Sequence, residues 1–79
     1  MGFNFIIQTF KKMTQYIVLS PDGFEIDFFP YNSRAEAERA LKEFKKRYEK
    51  QGYYSSKDGR IPLDKLEKHC QIKQFSVNG

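Results

Sequence analysis

Four basic residues, Arg39, Lys42, Lys46 and Lys50, recur at spacings of three and four. At about 100° per residue they form one row along a helix, opposite an apolar stripe. Such a row holds anions, phosphate or carboxylate. Lys42–Lys46 and Lys46–Lys50 are like-charge i,i+4 pairs, each costing about 0.2–0.5 kcal/mol of helix stability. Folding gains nothing from them, which points to an anion in the working state. A lysine-rich solvated helix face is the plain alternative. Downstream, "QGYYSSKDGR" at 51–60 adds Tyr54, Lys57 and Arg60. A ring beside basic groups can stack a base and hold its phosphate, with stacking worth about 1–3 kcal/mol per base. Of the two adjacent tyrosines one packs back on the helix end. Assigning that role to Tyr53 leaves Tyr54 to project outward, and the reverse assignment fits the spacing too.

Other reactive groups are sparse. The single histidine and single cysteine are neighbours, His69 and Cys70. Helix neighbours point about 100° apart and do not make a nucleophile–base pair. Two ligands are too few for a structural zinc site, which takes four. Cys70 is expected in the core and His69 at its rim. The carboxylates have local uses: Glu36 as a capping residue, Glu38 paired with Lys42, and Glu43 paired with Arg47. Glu25 and Asp27, with Asp22, lack the further oxygen ligands of a metal site. Gly52 and Gly59 do not form a phosphate loop. The residues therefore predict no enzyme, no catalytic residue, no metal and no cofactor.

The elements that position these groups are legible as patterns. "QYIVLS", the turn "SPDG" and "FEIDF" read as a hairpin over 15–28, with Phe24, Ile26 and Phe28 on its buried face. Ser33 with Glu36 forms a capping box that opens a helix running to about Gln51, where Gly52 supplies the stop. Ala37, Ala40, Leu41, Phe44 and Tyr48 form its apolar stripe, expected to pack on Phe24, Ile26 and Phe28. "SKDG" reads as a plain turn. "IPLDKLEKHC" predicts a short second helix with Leu63, Leu66 and Cys70 on one face, and "QIKQFSV" a final strand. The order is ββααβ: an α+β fold with a small three-stranded antiparallel sheet packed on one long helix. Residues 1–12 fit a helix through Phe3, Ile6, Ile7 and Phe10, or a strand through Phe3, Phe5 and Ile7. They are treated as an N-terminal extension, and 13–79 as a single domain.

With 79 residues the chain buries only about 60–65% of the surface its unfolded form exposes. One cysteine allows no internal disulfide, so eight Phe and five Tyr must supply the burial. A homodimer is a second way to add it. No apolar run reaches membrane-spanning length, and the N-terminus matches neither a secretory signal nor a myristoylation site. A cytoplasmic protein is the expectation. The net charge of +4 is uneven: residues 1–31 carry two bases and three acids, and residues 32–79 twelve bases and seven acids. The basic part favours an anionic partner.

The landmarks "YIVLSPDGF", a capped helix, "QGYYSS", "GRIPL" and "L..HC.I" resemble a group of short uncharacterised bacterial proteins of this layout, over about Met13 to Phe75. The resemblance implies a bacterial or phage-borne cytosolic protein and carries over no site residue. In size, charge and lack of catalytic groups the chain is also similar to small phage-encoded inhibitors, anti-CRISPR proteins among them, with no shared motif. The expected function is non-catalytic binding of RNA, DNA or a nucleoprotein through Arg39, Lys42, Lys46, Lys50, Tyr54, Lys57 and Arg60. The alternative is an inhibitor that meets an acidic protein surface and blocks a bacterial defence nuclease by binding its effector.

Overall fold

Ser33 starts the central helix. Its backbone is extended and its hydroxyl accepts from the Glu36 amide at 3.2 Å, while the Glu36 carboxylate accepts from the Asn32 amide at 2.9 Å. The Ser33 half is the bond a capping box predicts, while the Glu36 carboxylate reaches back one residue further, to Asn32 in place of Ser33. The computed structural model describes residues 12–78. In chain order these form β1 (Lys12–Leu19), α1 (Arg34–Lys46), β2 (Tyr53–Ser56), β3 (Gly59–Pro62), α2 (Leu63–His69) and β4 (Gln71–Asn78). The fold is α+β, with two helices and antiparallel strands in two small sheets. The expected extension falls almost wholly on residues 1–11, outside the described residues. No helix among the described residues is long and apolar enough to cross a membrane.

The sheet differs from the sequence expectation. Strand β1 pairs with β4, and β2 with β3, each antiparallel, in place of one three-stranded sheet in ββααβ order. "FEIDF" is not a strand. Residues 24–31 pair with β1 only at two isolated bridges, Leu19–Glu25 and Tyr16–Tyr31. Five residues on this segment lie between the bridges and only two on β1, so part of the segment bulges away from it. Ile26 donates to the Val18 carbonyl at 3.0 Å and alone of the three expected residues reaches the core. Phe24 and Phe28 are 72% and 94% exposed, and Phe29 80%. The preceding turn forms as predicted: the Gly23 amide donates to the Ser20 carbonyl at 2.9 Å, and Gly23 takes φ +90°.

Of the helix stripe Ala37, Leu41 and Phe44 are buried and Ala40 and Tyr48 half-buried, and of the expected partners only Ile26 packs on it. Ala37 and Leu41 pack with Val18, together with Tyr16, Ile26, Tyr31, Cys70 and Ile72. Phe44 packs with Ile61 and Leu66, flanked by Tyr48, Tyr54, Leu63 and Cys70. One helix thus covers the β1–β4 ribbon with its first half and the β2–β3 hairpin and α2 with its second. Its regular part ends at Lys46, short of the expected Gln51. Tight turns follow, and the Gly52 amide closes on the Tyr48 carbonyl at 2.8 Å with φ +89°. Glycine enters that left-handed region without steric cost. Residues 53–60, expected as loop, form the β2–β3 hairpin together with Ile61 and Pro62, expected at the start of the second helix. Its reversal at Lys57–Asp58 is held by Ser56, whose hydroxyl donates to the Gly59 carbonyl at 2.6 Å and accepts from the Asp58 amide at 3.2 Å. The second helix forms over Leu63–His69, two residues later than expected because Ile61 and Pro62 pair in β3, and the final strand forms where the sequence places it.

Candidate nucleic-acid interface

The helix row is built as the periodicity implies. Arg39, Lys42 and Lys46 are exposed on α1, on the side away from its buried stripe of Ala37, Leu41 and Phe44. Lys50 is exposed on the turns beyond the helix end, so the regular row is three residues long with a fourth following it. The expected neutralising pairs do not form. Glu38 is held by Arg34 at 3.2 Å, leaving Lys42 unpaired, and Glu43 reaches Lys46 at 3.7 Å, leaving Arg47. The Arg47 guanidinium instead lies over the Phe44 ring, 5.6 Å from its centroid. Arg39, Lys42 and Lys50 have no ion-pair partner among the described residues. Lys45 is not part of this surface. It is half-buried and bridges to Glu67 on α2 at 3.6 Å, joining the two helices.

The hairpin sorts the remaining candidates by face. Tyr54 stands opposite Ile61 on its inner side. The Tyr54 ring meets Phe44 at 5.7 Å and Tyr48 at 5.0 Å between centroids, the latter edge to face. Its hydroxyl donates to the Asp22 carboxylate at 3.5 Å, and burial raises its pKa above the ordinary 10.0. Tyr54 therefore packs inward, in place of the outward stacking surface that the sequence suggested. The outward tyrosine is Tyr53. The Arg60 guanidinium sits over the Tyr53 ring at 4.2 Å, a diagonal cross-strand pair on the outer face. Lys57 is at the hairpin tip, where its amide donates to Asp22 at 3.1 Å. Tyr54 lies between that tip contact and the helix, so Lys57 belongs with the Ser20–Gly23 turn and not with the lysine row.

Residues 24–29 carry a second exposed feature. Phe24, Glu25, Ile26, Asp27, Phe28 and Arg47 line an open groove of about 490 Å³. One signal for it is in the sequence: Phe28 and Phe29 are adjacent, so a two-faced strand cannot bury both, and Pro30 prevents continuation. Tyr31 anchors the base of this segment. Its hydroxyl donates to Asp27 at 2.8 Å, and burial, reinforced by that carboxylate, pushes its pKa up to about 12.

His69 and Cys70 end α2. His69 is exposed, while Cys70 is half-buried against both core clusters. Burial, with Glu67 nearby, pushes the Cys70 thiol up to about 11. A thiol held protonated at neutral pH is a poor nucleophile and a poor metal ligand. Among the described residues no three His, Cys, Asp or Glu side chains gather closely enough to hold a metal ion. Compared with protein families, curated proteins and solved structures, the chain matches none of them.

Proposed function

We propose that the protein is a non-catalytic binding module that engages RNA or DNA, free or within a nucleoprotein, through the outer face of α1. One observation carries this reading: a row of exposed cations, three of them without ion-pair partners among the described residues, whose mutual repulsion folding does not use. Phosphate neutralisation dominates such a contact and gives affinity with little base specificity. Arg60 with Tyr53 is a separate contact on the outer face of the hairpin, suited to stacking. The test replaces Lys42, Lys46 and Lys50 by Glu and titrates labelled single-stranded RNA and duplex DNA by fluorescence anisotropy. Loss of binding with an unchanged circular dichroism spectrum is expected. Unchanged affinity and unchanged salt dependence would sink the reading.

A protein-directed inhibitor is the second reading, favoured by the exposed Phe24, Phe28 and Phe29. Large aromatic side chains are the usual anchors of protein contacts. In this reading the aromatic loop holds the effector of a defence nuclease. Pull-down from a bacterial host with and without nuclease treatment separates the two. A partner lost on treatment is nucleic acid, and a protein retained after treatment, and lost in Phe28→Ser, supports the inhibitor.

A further inference from the structure

We propose that a single-stranded nucleic acid turns one nucleotide into the groove between α1, α2 and the start of β4. This rests on the reading of α1 as a phosphate-binding face and names the kind of strand that face takes. The groove is open and about 430 Å³ in volume, within the range of about 300–1,000 Å³ usual for small-ligand sites. Leu41, Cys70 and Ile72 give it an apolar part, and Lys42 and Lys68 give it one cation from each helix. Glu38 and Glu67 line it too, but each is already held. Arg34 takes Glu38 at 3.2 Å, and Lys45 takes Glu67 at 3.6 Å. Lys42 and Lys68 are exposed and have no ion-pair partner among the described residues. Burial keeps the Cys70 thiol protonated at neutral pH, so no thiolate repels a phosphate here. The groove thus combines two uncommitted cations with an apolar surface.

Helix geometry ties this groove to the basic row. Residues four apart on a helix are offset by about 40°, so Glu38, Lys42 and Lys46 step around α1 in one direction. Glu38 lines the groove, and Lys46 belongs to the row. Lys42 stands between them and serves both. A strand whose phosphates follow Lys46 and Lys42 therefore arrives at the edge of the groove, and Lys68 continues the positive charge on α2. A nucleotide carries the two parts that the groove matches, an anionic phosphate and a base with an apolar face. Only a single strand can present both. Its bases are unstacked and can be splayed out onto a surface, whereas a duplex keeps its bases stacked and paired and meets a concave surface with its phosphates.

The test compares Lys68→Gln with Lys65→Gln, which removes the same charge from the same helix outside the groove. Anisotropy titrations use a short labelled single-stranded RNA and the duplex formed with its complement, at one salt concentration. Lys68→Gln is expected to weaken single-strand binding about tenfold, as for a lost hydrogen bond to a charged group. It should weaken duplex binding less than about twofold, and Lys65→Gln should leave both within about twofold, since exposed distant charges are screened. In isotope-enriched protein the methyl signals of Leu41 and Ile72 should shift with the single strand and stay in place with the duplex. Equal losses for the two variants, or on the two nucleic acids, overturn the proposal, because Lys68 then adds only net charge. Unmoved methyl signals overturn it as well. So do methyl signals that move with a polyglutamate peptide and not with the single strand, because the groove then takes protein carboxylates. The reading of the row fails separately. It falls if replacing Lys42, Lys46 and Lys50 by Glu leaves single-strand affinity unchanged. If that replacement abolishes binding while Lys68→Gln has no effect, the row stands and the groove proposal is overturned.

Discussion

Lys42→Gln separates the two roles a surface lysine can have. On α1, Lys42 has Arg39 three residues before it, and Lys45 and Lys46 three and four residues after it. Each like-charge neighbour costs about 0.2–0.5 kcal/mol. The opposing attraction, to Glu38 four residues earlier, is weakened because Arg34 already holds that carboxylate at 3.2 Å. Counting it at full value leaves a net stabilisation of about 0.4–1 kcal/mol for the variant. In a domain of this size, that raises Tm by about 2–8 °C. The rise should be largest at low ionic strength and shrink as the screening length falls to about 10 Å near 0.1 M salt. Binding should move the other way. One lost phosphate contact lowers the slope of log K against log salt by about 0.9 on duplex DNA and about 0.7 on a single strand. Calorimetry and anisotropy titrations across a salt series measure both. A lowered Tm would show that Lys42 supports the fold. A raised Tm with unchanged affinity and slope would show that the row meets no phosphate. Either result refutes the reasoning.

Tyr54→Phe should cost less than about 1 kcal/mol and leave nucleic-acid affinity unchanged, because the ring contacts survive and only the long Asp22 hydrogen bond is lost. Tyr54→Ala should cost about 2–4 kcal/mol, below the figure for a fully buried ring; normal stability together with lost binding would contradict the packing role. Stability should also decline in alkali. Cys70 and Tyr31 have folded-state pKa values raised from 9.0 to about 11 and from 10.0 to about 12, so both favour the folded state while protonated. That contribution is complete below about pH 9 and fades as pH rises through 11 and 12. Urea melts across this range should show the decline, with its early part absent in Cys70→Ser and its late part absent in Tyr31→Phe.

What could be read from the sequence was local. Ser33 with Glu36, Gly52 and the SPDG turn are each specified within four residues, and each forms. The apolar stripe of α1 was legible for the same reason, but most of its partners were not. Only Ile26 was expected; most of the others come from β1, β4, the β2–β3 hairpin and α2, whose placement depends on pairings between distant segments. "FEIDF" alternates like a strand, yet alternation states only that two faces differ. Whether a neighbour extends along the whole segment is decided by register, and here it stops after two bridges. The β2–β3 hairpin was hidden by its size, since its four-residue strands bury a single cross-strand pair, Tyr54 and Ile61. At the candidate site the basic row followed from spacing alone. The choice of Tyr54 over Tyr53 required knowing that Ile61 lies across from it, and the bridge from Lys45 to Glu67 required the proximity of two helices.

The pairing of β1 with β4 also constrains how the chain reaches this structure. Lys12 lies opposite Asn78, so the largest sheet contact among the described residues joins their two ends. Residues 33–70, by contrast, make many of their contacts among themselves, helix with hairpin and second helix, although α1 also packs on β1. Closing a loop that encloses nearly everything else carries a large entropy cost and receives its compensation late. The order of events that follows is a helical and hairpin nucleus first, and ribbon closure last. Substitutions at Phe44 or Leu66 should therefore slow folding, whereas substitutions at Val18 or Ile72 should mainly speed unfolding.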